Sequence, residues 1–313
     1  PALRGFYDQV IMDLTEENVR ETAKKSDVIM IQVPSGDVAK WAEIVLAEDC
    51  AIIDIGADIR FRDVDVWEKW YGQKHPDAKM THDAVYCIPE VMRDLAKGKK
   101  LIANPGCYPT ASTLGLQPML KAGHIVDNTI VIDAKSGYTG AGRRPALNKL
   151  LTEAENNFCA YALGGGHRHT PEIEQNIAYI TGKDLMKPET WQYINFQPHL
   201  LPQVRGIEVT IYATCDRDFT NEEVYELYKD FYKNEPFVKV FPASLPVQTK
   251  WVYGTNFCEM TPTFDARTHR LIVSSVIDNI GKGAAGQAIQ NMNLIMGLPA
   301  VSYTHLRAHE TDQ

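Results

Sequence analysis

The chain has 313 residues, 44% hydrophobic and 23% charged, with a formal net charge of −8. The length allows one large or two ordinary domains, and the acidic balance excludes a nucleic-acid binder, which needs a basic stripe to neutralise phosphates. No apolar run approaches the roughly 18 residues that cross a membrane, and the first residues lack signal-peptide character, so a cytoplasmic protein is expected.

In chain order, Thr15 to Lys25 reads as a helix capped by Thr15. Asp27 to Val33 is an apolar strand with almost no polar alternation, as in parallel sheets covered on both faces. Pro34-Ser35-Gly36 stops it, Asp37 to Glu48 is an amphipathic helix, and Cys50 to Ile55 is the next strand. The β-α-β-α order predicts a Rossmann-like, doubly wound parallel sheet whose ligands lie at the strand C-termini. Three loops should therefore converge on one crevice: Pro34 to Gly36, the loop after Ile55, and Asn104 to Cys107.

The last of these is the most informative stretch. A short strand, Leu101 to Ala103, is stopped by Asn104-Pro105-Gly106, and from Thr110 the spacing of Leu114, Leu116, Met119 and Leu120 is helical. Cys107 thus stands on a strand-to-helix turn near unsatisfied N–H groups, where a thiol is expected to have a lowered pKa and to act as a nucleophile. A buried structural cysteine fits the local pattern equally. The other five cysteines (Cys50, Cys87, Cys159, Cys215 and Cys258) lie in or beside apolar or strand-like runs, where packing is the default. That contrast favours Cys107 as the reactive one. With no CxxC pair, neither a disulfide framework nor a zinc site is expected.

Asn128 to Ala134 is a strand running into Lys135-Ser-Gly-Tyr-Thr-Gly-Ala-Gly-Arg-Arg144, a glycine-rich loop suited either to anion binding or to plain surface structure. In Gly164-Gly-Gly-His-Arg-His-Thr-Pro-Glu-Ile-Glu174, Thr170 is expected to cap a helix with Pro171 at its first position, leaving His167 and His169 on the preceding loop. No Cys, Asp or Glu stands at a familiar zinc spacing from them, so a base paired with a distant cysteine fits better than a metal. Strands Tyr193 to Leu200, Gly206 to Cys215, Phe257 to Phe264 and Arg270 to Ile277, with a helix at Asn221 to Tyr232, predict an α+β second domain with a mostly antiparallel sheet. The GxGxxG at Gly281 to Gly286 has no following strand, so it reads as close packing rather than a phosphate fingerprint. The last helix, Gly283 to Met296, should return to the first domain. The expected division is 1–111 with 281–300, then 112–280. Residues 301–313 lack periodicity and resemble a non-native tail, which removes His305 and His309 from consideration.

Five motifs then stand in register: Asn104-Pro-Gly-Cys-Tyr-Pro-Thr110, Ser136-Gly-x-x-Gly-Ala-Gly-Arg143, Gly166-His-Arg-His-Thr-Pro-Glu-Ile-Glu174, Pro198-His-Leu-Leu-Pro202 and Asp278-Asn-x-x-Lys-Gly-Ala-Ala-Gly-Gln287. Together they resemble the N-acetyl-gamma-glutamyl-phosphate reductases, acyl-phosphate reductases of arginine biosynthesis in the semialdehyde dehydrogenase superfamily. That family opens with a strand and a glycine-rich NADP loop. On this resemblance about sixty residues, a β-α-β unit's worth, are missing from the N-terminus, and the chain as it stands is expected to be inactive.

The resemblance implies that Cys107 attacks an acyl phosphate, expels inorganic phosphate and leaves a thioester that NADPH reduces to an aldehyde. His167, working near its ordinary pKa, is the first choice of acid/base, with His169 next. By analogy with aspartate-semialdehyde dehydrogenases, Arg60 binds phosphate; a surface pairing with Asp58 or Asp63 is the alternative. Arg143 and Arg168 are candidates for a carboxylate or for supporting its ligand, and Ser136 and Gly137 belong to the substrate loop. On the cofactor side stand Asn279, at the nicotinamide carboxamide, with Gly283 and Pro34-Ser35-Gly36, where the family usually has Pro-His-Gly. A homodimer or homotetramer is implied. The rivals are an aspartate-semialdehyde dehydrogenase, an aminoadipyl-phosphate reductase, or a nicotinamide-independent Cys/His hydrolase or transferase. A CxxxxxR phosphatase is excluded because position 113 is Thr113.

Overall fold

A computed structural model describes residues 11–142 and 150–299. Arg143 and the tail 301–313 lie outside the described residues. The first region runs α1 (Glu16–Ala23), β1 (Val28–Ile31), α2 (Val38–Ala47), β2 (Ala51–Asp54), α3 (Val64–Tyr71), α4 (Ala78–Asp83), β3 (Val85–Tyr86), α5 (Pro89–Ala96) and β4 (Leu101–Ala103). Its four strands form a wholly parallel sheet in the order β1-β2-β4-β3. Successive strand side chains point to opposite faces, and the two faces of β2 and β4 fill two different cores. Ile52, Leu101 and Ala103 pack with Trp41, Ala42 and Val45 of α2. Ile53 and Ile102 pack with Met92 and Ala96 of α5.

The chain continues through α6 (Cys107–Ala122), β5 (Val131–Gly137), α7 (Leu151–Ala154), β6 (Cys159–Ala160), α8 (His169–Ile180), β7 (Asn195–Leu201), β8 (Ile207–Thr214), α9 (Asn221–Phe231), β9 (Val238–Val240), α10 (Thr249–Val252), β10 (Cys258–Asp265), β11 (Arg270–Ile277) and α11 (Gly286–Ile295). The second sheet is mixed, in the order β6-β7-β5-β8-β11-β10-β9. Four of its neighbour pairs are antiparallel, while β5–β7 and β9–β10 are parallel. Inward side chains such as Ile132, Phe196, Val209, Ile211 and Val273 form one core with Leu114, Leu116 and Met119 of α6 and with Ile173 and Ile177 of α8. Pro118 lies within α6 and has no N–H for the Leu114 carbonyl four residues back. The Tyr232 hydroxyl donates to that carbonyl at 2.6 Å instead, so the proline leaves no buried acceptor orphaned.

Several contacts tie the regions together, two of them through the C-terminal segment. Helix α11 returns to the parallel sheet, placing Ala288 and Met292 beside Ile53 and Ile102. Lys282 donates to Glu90 Oε1 at 2.6 Å and to Gln290 Oε1 at 2.8 Å, with both charged side chains essentially inaccessible.

Candidate active site

The Cys107 turn is fixed at each residue. Asn104 N–H donates to the Asp54 carbonyl at the end of β2 (2.8 Å), and its side chain bridges the Ala284 carbonyl and Asn291 Nδ2. Gly106 N–H donates to Glu172 Oε1 at 2.8 Å. Cys107 is the first residue of α6, two residues before Pro109, whose missing N–H costs nothing in a first helical turn. Gly283 packs from below, where a Cβ would lie only 2.7 Å from the Cys107 Cβ.

The thiol differs from the sequence expectation. Cys107 keeps part of its surface accessible, yet burial of the sulfur among protein atoms pushes its pKa up to about 11. The Tyr108 backbone N–H and the Arg60 guanidinium work in the lowering direction and are outweighed. Helix-terminus electrostatics were legible in the sequence; desolvation, a tertiary effect, dominates.

Helix α8 also begins earlier than predicted. Thr170 does not cap it; its hydroxyl donates to the Gly165 carbonyl, Arg168 is the N-cap, and His169 is already in the first turn. His169 N–H donates to His167 Nδ1 at 3.0 Å, so the proton of a neutral His167 ring sits on Nε2. The two rings lie 4.8 Å apart at 66°, edge-on to Tyr108. Nε2 of His169 would be 2.5 Å from a methyl group built on Gly106, which places this imidazole against the residue before the thiol. Its Nδ1 is buried without a partner among the described residues. Neither ring works near its ordinary pKa. Burial first, then His169 for His167 and Arg60 for His169, holds each down to about 3.

A cavity of about 690 Å³ opens beside these rings at the C-terminal ends of β1 and β2. Ser35, Gly56 and Ala57 form one wall, Tyr161 and Leu200 another, and Arg60, His167, Arg168 and His169 lie between. Among the described residues no Asp or Glu lines it, so it suits an anion. Cys159, assigned to packing on sequence grounds, also lines it, as does Tyr71.

Arg60 is neither a surface residue nor paired with Asp58 or Asp63. It is 7% exposed; Nη1 donates to Glu172 Oε2 at 3.1 Å and Nη2 to the Ile55 carbonyl at 3.0 Å. Glu172 also accepts from the Tyr86 hydroxyl at 2.9 Å. Its signal was the i, i+3 spacing from His169, which puts both on one helical face.

The remaining candidates frame the cavity without lining it. Asn279 Oδ1 accepts from Gly206 N–H (2.8 Å) and Nδ2 donates to Thr139 (3.0 Å). Ser136 bonds to the Gly137 carbonyl, and Gly137 lies where a Cβ would meet the backbone of residues 203–205 at 2.8 Å. Gly36 has φ +98° and donates to Asp58 Oδ2, which fixes the bend after Pro34. The glycine-rich stretch Gly281–Ala285 is a π-helical turn. Among the described residues no cluster of three metal-ligating side chains occurs, and no helix is long and apolar enough to cross a membrane.

Residues 4–99 match the semialdehyde dehydrogenase NAD binding domain and residues 107–279 the semialdehyde dehydrogenase dimerisation domain. The chain is 46% identical over 298 residues to an N-acetyl-gamma-glutamyl-phosphate reductase of Desulforudis audaxviator, covering 95% of this chain and 83% of that protein. It is 43% identical over 299 residues to one of Desulforamulus reducens, covering 96% and 83%. The crystal structure of aspartate semialdehyde dehydrogenase II from Vibrio cholerae has the same fold, with a TM-score of 0.66 at 17% identity over 88% of this chain and 81% of that one. With domains in this order and identity at this level over nearly its whole length, the chain belongs to the N-acetyl-gamma-glutamyl-phosphate reductase family of semialdehyde dehydrogenases.

Proposed function

We propose that the protein reduces N-acetyl-gamma-glutamyl phosphate to the semialdehyde with release of phosphate, using NADPH, in arginine biosynthesis in the cytoplasm. The observation that carries this reading is a thiol turn and two imidazoles beside a cavity lined, among the described residues, by two arginines and no acid. The six free cysteines suit a reducing compartment.

His169, rather than His167, is favoured as the acid/base, because its Nε2 abuts Gly106. Held neutral by burial, it gains basicity when an anionic acyl phosphate enters, since nearby negative charge favours the imidazolium. It then takes the Cys107 proton, the sulfur attacks the acyl carbon, and the carbon–phosphate oxygen bond breaks as phosphate leaves. His167 fixes the neighbouring turn by accepting the His169 N–H. The small residues Ser35, Gly56 and Ala57 at the strand ends leave room for a flat ring and would border a nicotinamide. When bound, that group supplies the hydride that reduces the thioester. Arg60, carried over as the phosphate ligand, acts in this reading through Glu172 as well as by its charge.

The division at residues 111 and 280 and a homodimer or homotetramer belong to the same proposal. Supporting assembly, the sheet face opposite α6 and α8 leaves Val131, Lys135, Glu208, Tyr212 and Ile272 half-exposed. Light scattering tests the assembly.

The experiment is the reverse reaction, run with this chain and with one extended by the N-terminal segment of its longer relatives. NADP and NAD reduction are followed with N-acetylglutamate semialdehyde and aspartate semialdehyde, with and without phosphate. Phosphate-dependent reduction of NADP with the acetylated substrate, lost in Cys107→Ser, is the expected outcome. Turnover of aspartate semialdehyde alone, or no nicotinamide signal from either chain, overturns the reading.

A further inference from the structure

The two described arginines of the cavity are not equivalent. Arg60 is buried and paired: Nη1 donates to Glu172 and Nη2 to the Ile55 carbonyl, leaving Nε without a partner among the described residues. Arg168 is exposed and has no carboxylate partner among the described residues. Its guanidinium carbon lies 4.9 Å from the ring centroid of Tyr71. Tyr71 in turn stacks on Trp67, with centroids 4.9 Å apart and planes 5° from parallel. Trp67 is fully buried and braced edge-on by His75 at 4.7 Å. The result is a column, Trp67–Tyr71–Arg168, running from the core beneath α3 to the cavity mouth.

Its two ends come from different regions. Tyr71 is the last residue of α3, which stops at Gly72 with φ +68°; Arg168 is the N-cap of α8, between the two imidazoles. An arginine held over an aromatic face by a cation–π contact keeps its N–H donors free for hydrogen bonds to a carboxylate. A flexible arginine must lose rotamer freedom to do the same.

We propose that Arg168 is the specificity-determining group that pairs with the carboxylate of the substrate, and that Tyr71 is its positioning residue. The inference rests on the reading that Cys107 accepts an acyl group from an acyl phosphate, and it adds which side chain distinguishes a carboxylate-bearing acyl phosphate from a plain one. His167 and His169, which flank Arg168 in the chain, line the same cavity, so a ligand anchored at Arg168 lies beside the proposed acid/base.

The test uses only the acylation half of the reaction, which needs no nicotinamide. The full chain is mixed with N-acetyl-gamma-glutamyl phosphate or with acetyl phosphate, which has no carboxylate, and the mass added at Cys107 is followed over time and concentration. Arg168→Gln should raise the half-saturating concentration of the carboxylate-bearing compound about tenfold or more, with the limiting rate little changed. Acetyl phosphate should respond within about twofold in the same variant. Arg168→Lys should fall between, because it keeps the charge and loses the planar fork. Tyr71→Leu should cost about threefold on the carboxylate-bearing compound alone, and Tyr71→Phe, which keeps the ring face, should restore it. Equal losses on both compounds, or no loss in Arg168→Gln, overturn the inference while leaving the acyl-transfer reading intact. If wild type is acylated by neither compound, that reading falls and the inference with it.

Discussion

Glu172 Oε1 accepts the Gly106 N–H at 2.8 Å, so the residue before the thiol is held by the same helical turn that carries His169. The carboxylate binds Arg60 and Tyr86 as well, and its side chain is 1% exposed against 8% for Arg60. Removing one member of a buried ion pair leaves the other charged and unpartnered, at a cost of about 3–5 kcal/mol. Glu172→Leu should lose about that much in urea denaturation, and Arg60→Met combined with it should recover a large part. Glu172→Gln, which keeps an acceptor for Gly106, should fall between while slowing acylation of Cys107. A Glu172→Leu chain as stable as wild type would show that the pair carries no such weight.

Much of this was readable in the sequence, because it depends on local rules. The strand Leu101–Ala103 and the Asn-Pro-Gly stop follow from apolar runs and turn chemistry, and α1 starts where Thr15 accepts from Asn18 N–H. Local rules also misplaced the start of α8, since Thr170-Pro171 has the form of a cap while the hydroxyl is used by Gly165. What escaped entirely is long-range. Arg60 meets Glu172 across 112 positions and Lys282 meets Glu90 across 192, and no periodicity records such pairs. The thiol and imidazole pKa values escaped for the same reason, because burial is decided by the packed fold.

The two imidazoles give a pH dependence whose direction follows from burial. Each is held near 3 against an ordinary 6.5. In the folded chain they stay neutral while the unfolded chain takes up protons. Their contribution is therefore complete above about 6.5 and is lost as pH falls from there toward about 3. Asp54 and Glu174, pushed up to about 7 by burial, act oppositely: their contribution is full at low pH and fades as pH rises toward 7. The wild-type profile is thus partly cancelled, and the clean measurement is a difference. The urea midpoint of His169→Gln should fall less between pH 7 and pH 5 than that of wild type. Parallel profiles would contradict the burial argument.

With its pKa pushed up to about 11 by burial, the Cys107 thiol is protonated at neutral pH. Thiolate is the reactive form, so alkylation by iodoacetamide should rise close to tenfold per pH unit from about pH 7 to 10, without a neutral plateau. Peptide mapping must resolve Cys107 from the partly exposed Cys159. A plateau near pH 7 at Cys107 would restore the low pKa that the turn position alone suggests.

The sharpest steric prediction concerns Gly283. Its backbone is one alanine adopts without strain, so Gly283→Ala tests contact alone. The new methyl would meet the Cβ of Cys107 at 2.7 Å and its Cα at 3.3 Å, with Ile277 Cδ1 at 3.2 Å. The Cys107 Cβ is bonded directly to the nucleophile's own backbone, so neither it nor the Cα can yield as the end of a long side chain does. Overpacking of this kind costs about 1–3 kcal/mol, and the relief available is to move the π-helical turn or the thiol. Gly106→Ala is the informative contrast, because its methyl meets the His169 ring edge, at 2.5 Å from Nε2. An imidazole can swing away, so Gly106→Ala should keep more of the stability while losing the base. Urea denaturation and mass-resolved acylation on both variants separate the two effects. Gly283→Ala should be the less stable chain, and Gly106→Ala should be acylated more slowly than its stability would suggest. Wild-type acylation in Gly283→Ala would mean that the thiol tolerates displacement and that this glycine serves only the fold.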